Sequence, residues 1–465
     1  MISLYFHIPF CYKKCNYCSF YVVPTKNFSN SEKYKDLYLQ ALKADIDFQI
    51  RKFNPDKKIY TIYFGWWTPS EFWIKRIQHL IEFVKTRFDL SELEEFSFEI
   101  NPVVWGRKSL KSSEEKWEFR RKEKNWNFVE DTIEFVKELS QLFTNKTRIS
   151  MGIQSLDDNL LKLVNRNYDF EIVQQVLENF PNIRLNLDFI SFGLEEFLDK
   201  KYFDKFEKFV NKFKEKVDSY SIYTLELYPG SIFANSRLLA QKVWFKQDIE
   251  EKILDNFKKY TNILKKAGYL RYEISNFAKS GKESKHNMIY WTMKPYLWFW
   301  VSASGYINLR SEEGRKRSEE KDDKITNLTG LPNLTDLTDW EENKFSENSL
   351  NNSHISKSSK SLTNLQIPIR YTNTYGIQNY LKKKFDFYEY KKLTWKEFLQ
   401  EKVFLGLRTT KWIEITKEIE SILNMDKLNN EFVTQWYLML KNWKLVFTDK
   451  WFDVYNYVIT EILDF

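Results

Sequence analysis

Six β-rich apolar runs, at residues 2–8, 59–64, 95–100, 148–154, 184–190 and 219–227, alternate with helix-periodic stretches such as 33–53, 71–88, 156–165 and 170–179. This alternation is the mark of parallel βα units, because a parallel strand pair needs a crossover long enough to hold a helix. In such folds the reactive groups gather in loops at the C-terminal ends of the strands. Cys11, Cys15 and Cys18 follow the first strand, and the Gly65 loop, Glu99, Gln154 and Asp188 stand at the ends of later ones.

Those three cysteines are the only ones in 465 residues. An odd, tight cluster argues against disulfides and for metal. The spacing is C-x3-C-x2-C, and thiolates on one short loop can wrap an iron–sulfur cubane. Three ligands to a [4Fe-4S] cluster leave one iron open, which can chelate the amino and carboxylate groups of S-adenosylmethionine (SAM). An electron from the cluster then splits the sulfonium to give a carbon radical, chemistry that the cofactor carries and the protein positions. A zinc site, which usually takes four ligands, and three unrelated thiols are the alternatives. His7 is near but lies on the alternating strand, and it reads as a packed residue.

With 43% hydrophobic residues the chain can bury a large core in two or three domains. The net charge of +8 is spread among acidic neighbours, which fits a solvated surface and no nucleic-acid partner. No run approaches the roughly 18 apolar residues of a membrane span, and the start reads as a strand, not a secretory signal. A cytoplasmic protein is the expectation. Two segments break the βα pattern. Residues 105–127 are densely charged and read as an exposed helical insertion. Residues 311–366, rich in Ser, Asn, Lys, Asp and Glu, read as a disordered low-complexity insertion. The expected organisation is a barrel core over 1–230, a flanking segment over 231–310, the insertion, a connector over 367–392, and a winged-helix-like unit over 393–465. That last unit would have a helix at 395–407 and a β-ribbon around 445–453, and would serve for packing.

The loop Tyr5-Phe-His7-Ile-Pro9-Phe10-Cys11-x3-Cys15-Asn-Tyr17-Cys18 resembles radical SAM proteins of the coproporphyrinogen-dehydrogenase-like group. The resemblance recurs at Gly65–Ser70, Glu99-Ile-Asn101-Pro102, Arg148–Ser155, Val164-Asn165-Arg166, Asn186-Leu-Asp188 and Arg271–Ala278. It implies an α/β fold, a partial TIM-like (β/α)6 barrel followed by a small helical, winged-helix-like C-terminal domain. It implies SAM contacts from Tyr5, Tyr17, Gly65, Trp66, Trp67, Thr68, Glu99, Gln154, Arg166 and Asp188. Carboxylates can accept from the SAM ammonium or ribose, and Arg166 can pair with its carboxylate. Within the group, the dehydrogenase branch oxidatively decarboxylates a porphyrinogen and continues its cluster loop to a fourth cysteine. Cys18-Ser19-Phe20 lacks that cysteine. The heme-chaperone branch carries an H-N-x-x-Y-W motif, present as His286, Asn287, Tyr290 and Trp291. Resemblance to that branch implies heme as a ligand, with those four residues as its site. It implies acceptor hemoproteins such as respiratory cytochromes, and an electron donor such as flavodoxin or ferredoxin. It also implies transient membrane association and, since family members can dimerise, a homodimer. The dehydrogenase activity is the alternative.

Tryptophan outnumbers glycine, 16 to 12, where ordinary usage of about 7% gives roughly 33 glycines. In the group the loop after the second strand is Gly-Gly-Gly-Thr-Pro; here it reads Gly65-Trp66-Trp67-Thr68-Pro69. Trp298, Trp300, Trp412, Trp443 and Trp451 also stand where glycine is expected, whereas Trp291 stands where the group has tryptophan. Some bacteria read UGA as glycine, and a translation table assigning UGA to tryptophan would write this pattern. If the tryptophan loop is genuine, a SAM-incompetent scaffold follows instead.

Overall fold

The structure is a computed structural model. It describes all residues except 20, 27, 29, 66–67, 105–127, 167, 227–230, 236–248, 301–303, 310–366, 374–376, 384, 386–387, 412, 436, 449–454 and 464–465. The charged and low-complexity insertions, and Trp66, Trp67, Trp412 and Trp451, therefore lie outside the described residues.

Six strands run parallel and in chain order through one sheet: β1 (Ile2–His7), β2 (Ile59–Gly65), β3 (Glu95–Ile100), β4 (Thr147–Gln154), β5 (Arg184–Ser191) and β6 (Ser219–Thr224). Helices connect them: α1 (Ser31–Phe53), α2 (Ile74–Lys85), α3 (Phe128–Leu142), α4 (Asp158–Leu163), α5 (Phe170–Glu178) and α6 (Tyr202–Lys212), with α7 (Ile249–Lys266) after β6. The period-2 alternation of a strand divides its residues between two environments. Leu4 and Phe6 of β1, Ile62 and Phe64 of β2, Phe96 and Phe98 of β3, and Ile149 and Met151 of β4 join the helices in one apolar core. Their neighbours in sequence make a polar interior. The Thr61 hydroxyl donates to Ser3 Oγ at 2.8 Å, and Asn186 Nδ2 donates to Ser150 Oγ and Ser221 Oγ, each at 2.9 Å. The expected partial (β/α)6 barrel is therefore present.

The sheet extends past those six strands. Beyond β6 lie β8 (Asn276–Ala278) and β7 (Leu270–Arg271), both antiparallel. On the other side β9 (Tyr296–Phe299) runs parallel to β1, followed by antiparallel β10 (Ser304–Leu309), β11 (Ile367–Asn373) and β12 (Tyr388–Lys392). Residues 367–392, expected as a connector, thus carry the last two strands of the sheet, of which β12 is the edge. Between β8 and β9, α8 (Lys285–Trp291) closes the barrel floor. Its first N–H groups, those of Lys285 and His286, donate to the buried carboxylate of Glu95 at 3.0 and 3.1 Å. A carboxylate there complements the positive end of the helix.

From residue 395 a second apolar core forms, with Leu399, Val403, Ile419, Val458 and Ile459 among its members. It is enclosed by α9 (Trp395–Gly406), α10 (Tyr455–Ile462) and a small sheet of β13 (Ile413–Glu414), β15 (Lys444–Phe447) and β14 (Leu438–Lys441). Of the β-ribbon expected around 445–453, residues 444–447 pair with 438–441, and 449–453 lie outside the described residues. The guanidinium of Arg408 lies 4.9 Å from the Trp291 ring, so this unit rests on α8.

Candidate functional site

The segment after β1 folds into a strap. Phe10–Cys11 pairs with Val23–Pro24, and the Thr25 N–H donates to the Cys11 carbonyl at 2.8 Å. The turn after α4 grips the strap from the other side. Asn16 Nδ2 donates to the Leu163 carbonyl at 2.7 Å, and Asn165 Nδ2 donates to the Lys14 carbonyl at 2.8 Å. Held this way, the three thiols are buried and open on one cavity, lined also by Lys13, Lys14, Val22, Thr68, Asn101 and Arg166.

A line of hydrogen bonds runs around that cavity, with contributions from three strand ends and the turn after α4. Asn101 Nδ2 donates to Thr68 Oγ1 at 2.8 Å. Thr68 Oγ1 lies 3.3 Å from Cys11 Sγ. With its oxygen already accepting from Asn101, the Thr68 hydroxyl can turn its proton to the sulfur. Arg166 donates from Nη1 to Asn101 Oδ1 and from Nη2 to the Tyr17 hydroxyl, both at 2.7 Å. Arg166 Nε is buried and has no hydrogen-bond partner among the described residues. Burial pushes the Cys11 thiol up, and the Thr68 hydroxyl offsets part of this. Among the described residues no three His, Cys, Asp or Glu side chains are grouped to hold a single metal ion.

Beneath the cavity the remaining expected contacts form a tier. The Tyr63 hydroxyl donates to Glu99 Oε1 at 2.6 Å. Tyr5 stacks on Tyr63, with ring centroids 5.5 Å apart. Gly65 is where the backbone meets these rings: a Cβ there would lie 2.6 Å from the Tyr5 hydroxyl oxygen. Gln154 has φ 69°, and the β4–β5 register shifts between Gly152 and Gln154. Such a bulge re-aims one side chain, and a non-glycine residue held at positive φ marks a functional position more often than an idle one. A Cβ on Gly152 would meet Gln154 Nε2 at 2.8 Å, so glycine there keeps the space for that amide. Asp188 sits on the interior face of β5, where Ser150 Oγ and Asn186 Nδ2 donate to its carboxylate at 2.8 and 2.7 Å. Burial raises its pKa, and the hydroxyls of Ser221 and Ser150 pull it back.

The structure thus gathers Cys11, Cys15, Cys18, Thr68 and Arg166 around one cavity, with Tyr17 bonded to Arg166 and Tyr5, Gly65, Glu99 and Gln154 on neighbouring positions. Asn101 and Gly152 are additions. Asn101 could have been found from its place one residue past the end of β3, where the chain must turn. Gly152 gave no local signal.

The H-N-x-x-Y-W residues lie elsewhere. Glu95, which holds the start of α8, is the first residue of β3, so α8 is at the end of the barrel opposite the cysteines. His286 is fully buried. Its Nδ1 is 2.7 Å from Thr61 Oγ1 and its Nε2 is 2.8 Å from the Tyr290 hydroxyl. Burial lowers its pKa to about 3, outweighing the charge of Glu95. Both ring nitrogens of His286 are thus engaged by hydroxyls in this arrangement. Tyr290 also accepts from Trp298 Nε1 at 3.1 Å, and the Asn287 N–H donates to Ser284 Oγ at 3.2 Å as part of the helix cap.

Comparison with known proteins places this geometry. Residues 5–206 match the Radical SAM superfamily, which defines the class. The heme chaperone HemW of Bacillus subtilis is 30% identical over 66% of this chain and 71% of its own length. That of Lactococcus lactis is 30% identical over 66% of this chain and 69% of its own. The chain belongs to the HemW family of radical SAM proteins. Among solved structures, coproporphyrinogen III oxidase (HemN) from Escherichia coli superposes with a TM-score of 0.61 at 18% identity. That match covers 99% of this chain and 89% of that one, and shows a shared fold.

Proposed function

We propose that this chain is a heme chaperone. It would hold a [4Fe-4S] cluster on Cys11, Cys15 and Cys18, bind SAM beside it, and pass heme to acceptor proteins such as respiratory cytochromes. The observation that carries the cluster reading is the ring of hydrogen bonds around three buried thiols, which leaves one buried guanidinium N–H without a partner. A cubane takes one thiolate per corner, and the donor set here is three sulfurs on one strap. When bound, the cluster supplies a single electron to the sulfonium of SAM. The protein's part is to position and to exclude water. Arg166, fixed by Asn101 and Tyr17, presents Nε to a carboxylate. Glu99, fixed by Tyr63, accepts from an ammonium or a ribose hydroxyl. The relatives' names supply the heme chaperone reading.

Lys13 and Lys14 at the cavity suit an acidic electron donor such as flavodoxin or ferredoxin, because a cationic rim steers an acidic partner. Heme would sit away from His286 unless the floor opens. The test is anaerobic reconstitution followed by heme titration and transfer to an apocytochrome. Iron near four per chain, a heme complex and a holo-acceptor are expected. A colourless protein with little iron would overturn the cluster. A loaded protein that binds no heme would overturn the chaperone while leaving the cluster standing.

A further inference from the structure

The backbone divides the tryptophans into two sets. Ten non-glycine residues among those described have positive φ. Four are asparagines, whose short polar side chains tolerate the left-handed region. Trp73 and Trp443, with φ of 68° and 56°, have no such excuse, whereas Trp300, with φ of 158°, lies close to extended backbone and is not assigned by this argument.

Trp73 combines φ 68° with ψ 143°, next to a region that is essentially reserved for glycine. The conformation is fixed from both sides. Its N–H donates to the Ser70 carbonyl, and its own carbonyl accepts from the Ile77 N–H at the start of α2, each at 3.2 Å. The side chain fits no better than the backbone. The indole is 8% exposed and its Nε1 is buried with no hydrogen-bond partner among the described residues, a property shared by Trp291 Nε1, so the backbone carries the distinction between them. An indole N–H normally finds an acceptor when it is buried.

Trp443 makes a different case. Strands β14 and β15 pair up to Lys441 and Lys444, leaving Asn442-Trp443 as a two-residue hairpin turn. Both turn residues have positive φ, 51° and 56°, which is the type I′ geometry that selects Asn-Gly. Here a 57% exposed indole occupies the glycine position. Trp291 and Trp395 lie in α8 and α9 and are absent from the positive-φ residues, so nothing in their backbone asks for glycine.

We infer that positions 73 and 443 are glycines in the protein the cell makes, encoded by UGA and decoded as glycine, while 291 and 395 are tryptophan. The inference does not depend on the heme chaperone reading. Trp298 is not assigned this way. Its backbone makes no such demand, and its ring packs on Tyr5 with centroids 4.4 Å apart.

The decisive measurement is peptide mass spectrometry of the protein from its native source. Peptides spanning 73 and 443 should each be lighter by the difference between an indolylmethyl group and hydrogen at that one position, and those spanning 291 and 395 should be unchanged. Indole residues at 73 and 443, or UGG codons there, overturn the inference. A second measurement needs no native source. Expressed from a recoded gene, the W73G/W443G protein should melt higher than the sequence as written. An equal or lower midpoint would sink the conformational argument.

Discussion

Asn101 is the hinge of the ring around the cysteines, since it donates to Thr68 and accepts from Arg166. Replacing it with Ala should free Arg166 to rotate and remove the partner that turns the Thr68 proton toward sulfur. Hydrogen bonds involving charged groups contribute roughly 1.5–3 kcal/mol. Asn101→Ala should therefore weaken SAM binding about tenfold or more, measured by calorimetry on the reconstituted protein, with little change in melting temperature. His286 belongs to a different economy. His286→Ala removes one of two partners from each of Thr61 and Tyr290 in a buried floor, and should destabilise by on the order of 1–3 kcal/mol while heme affinity stays the same. Its pKa also gives a pH test. A histidine near 6.5 when unfolded and about 3 when folded takes up its proton only on unfolding within that window. Stability is complete above the unfolded value and declines as pH falls toward 3. Glu95, Arg148 and the tyrosines around His286 are shared by both proteins, so His286→Asn should show a shallower decline in urea titrations. The residues of the cysteine strap were legible because short thiol spacings have few uses. The role of His286 was not, although its spacing to Tyr290 is one helical turn, which lets two side chains satisfy each other before any ligand arrives.

Among elements, the six parallel strands fall within a few residues of the runs that hydrophobic alternation marked, because each is buried on one side by helices and on the other by its own polar row. What was not read is the extension of the sheet. β9 joins β1 across almost three hundred positions of sequence, with Tyr5 beside Trp298, and nothing local in Tyr296-Leu-Trp298-Phe299 announces that neighbour. Residues 367–373 and 388–392 likewise become strands through pairing with each other and with β10. Tertiary pairing overrides weak local preference in such edge segments. The join between β3 and α8 is the element contact to test. Glu95 is fully buried, paired with Arg184 at 3.0 Å, and accepts from two helix N–H groups. Glu95→Ala leaves the partly exposed Arg184 guanidinium and the helix start without their carboxylate, so a loss of about 1–3 kcal/mol in denaturant titrations is expected.

Over the whole molecule, the two ends of one barrel differ. The cysteine end carries Lys13 and Lys14 at its opening, and the floor is shut by α8 with the C-terminal unit resting on it. Charge reversal at Lys13 and Lys14 should slow reduction by an acidic flavodoxin about tenfold at low salt, with the difference shrinking as ionic strength rises. Stopped-flow reduction at two salt concentrations would show it. No helix among the described residues is long and apolar enough to cross a membrane.

The pairing of β10 with β11 has one more consequence. Leu309 is matched with Ile367, so the two ends of the segment between them meet on a single rung of the ladder. The entropy cost of closing such a segment grows only with the logarithm of its length. This makes the edge a port where evolution can splice, lengthen or swap sequence while the cysteine end keeps its shape. It is also the natural place for an experimenter to graft a tag.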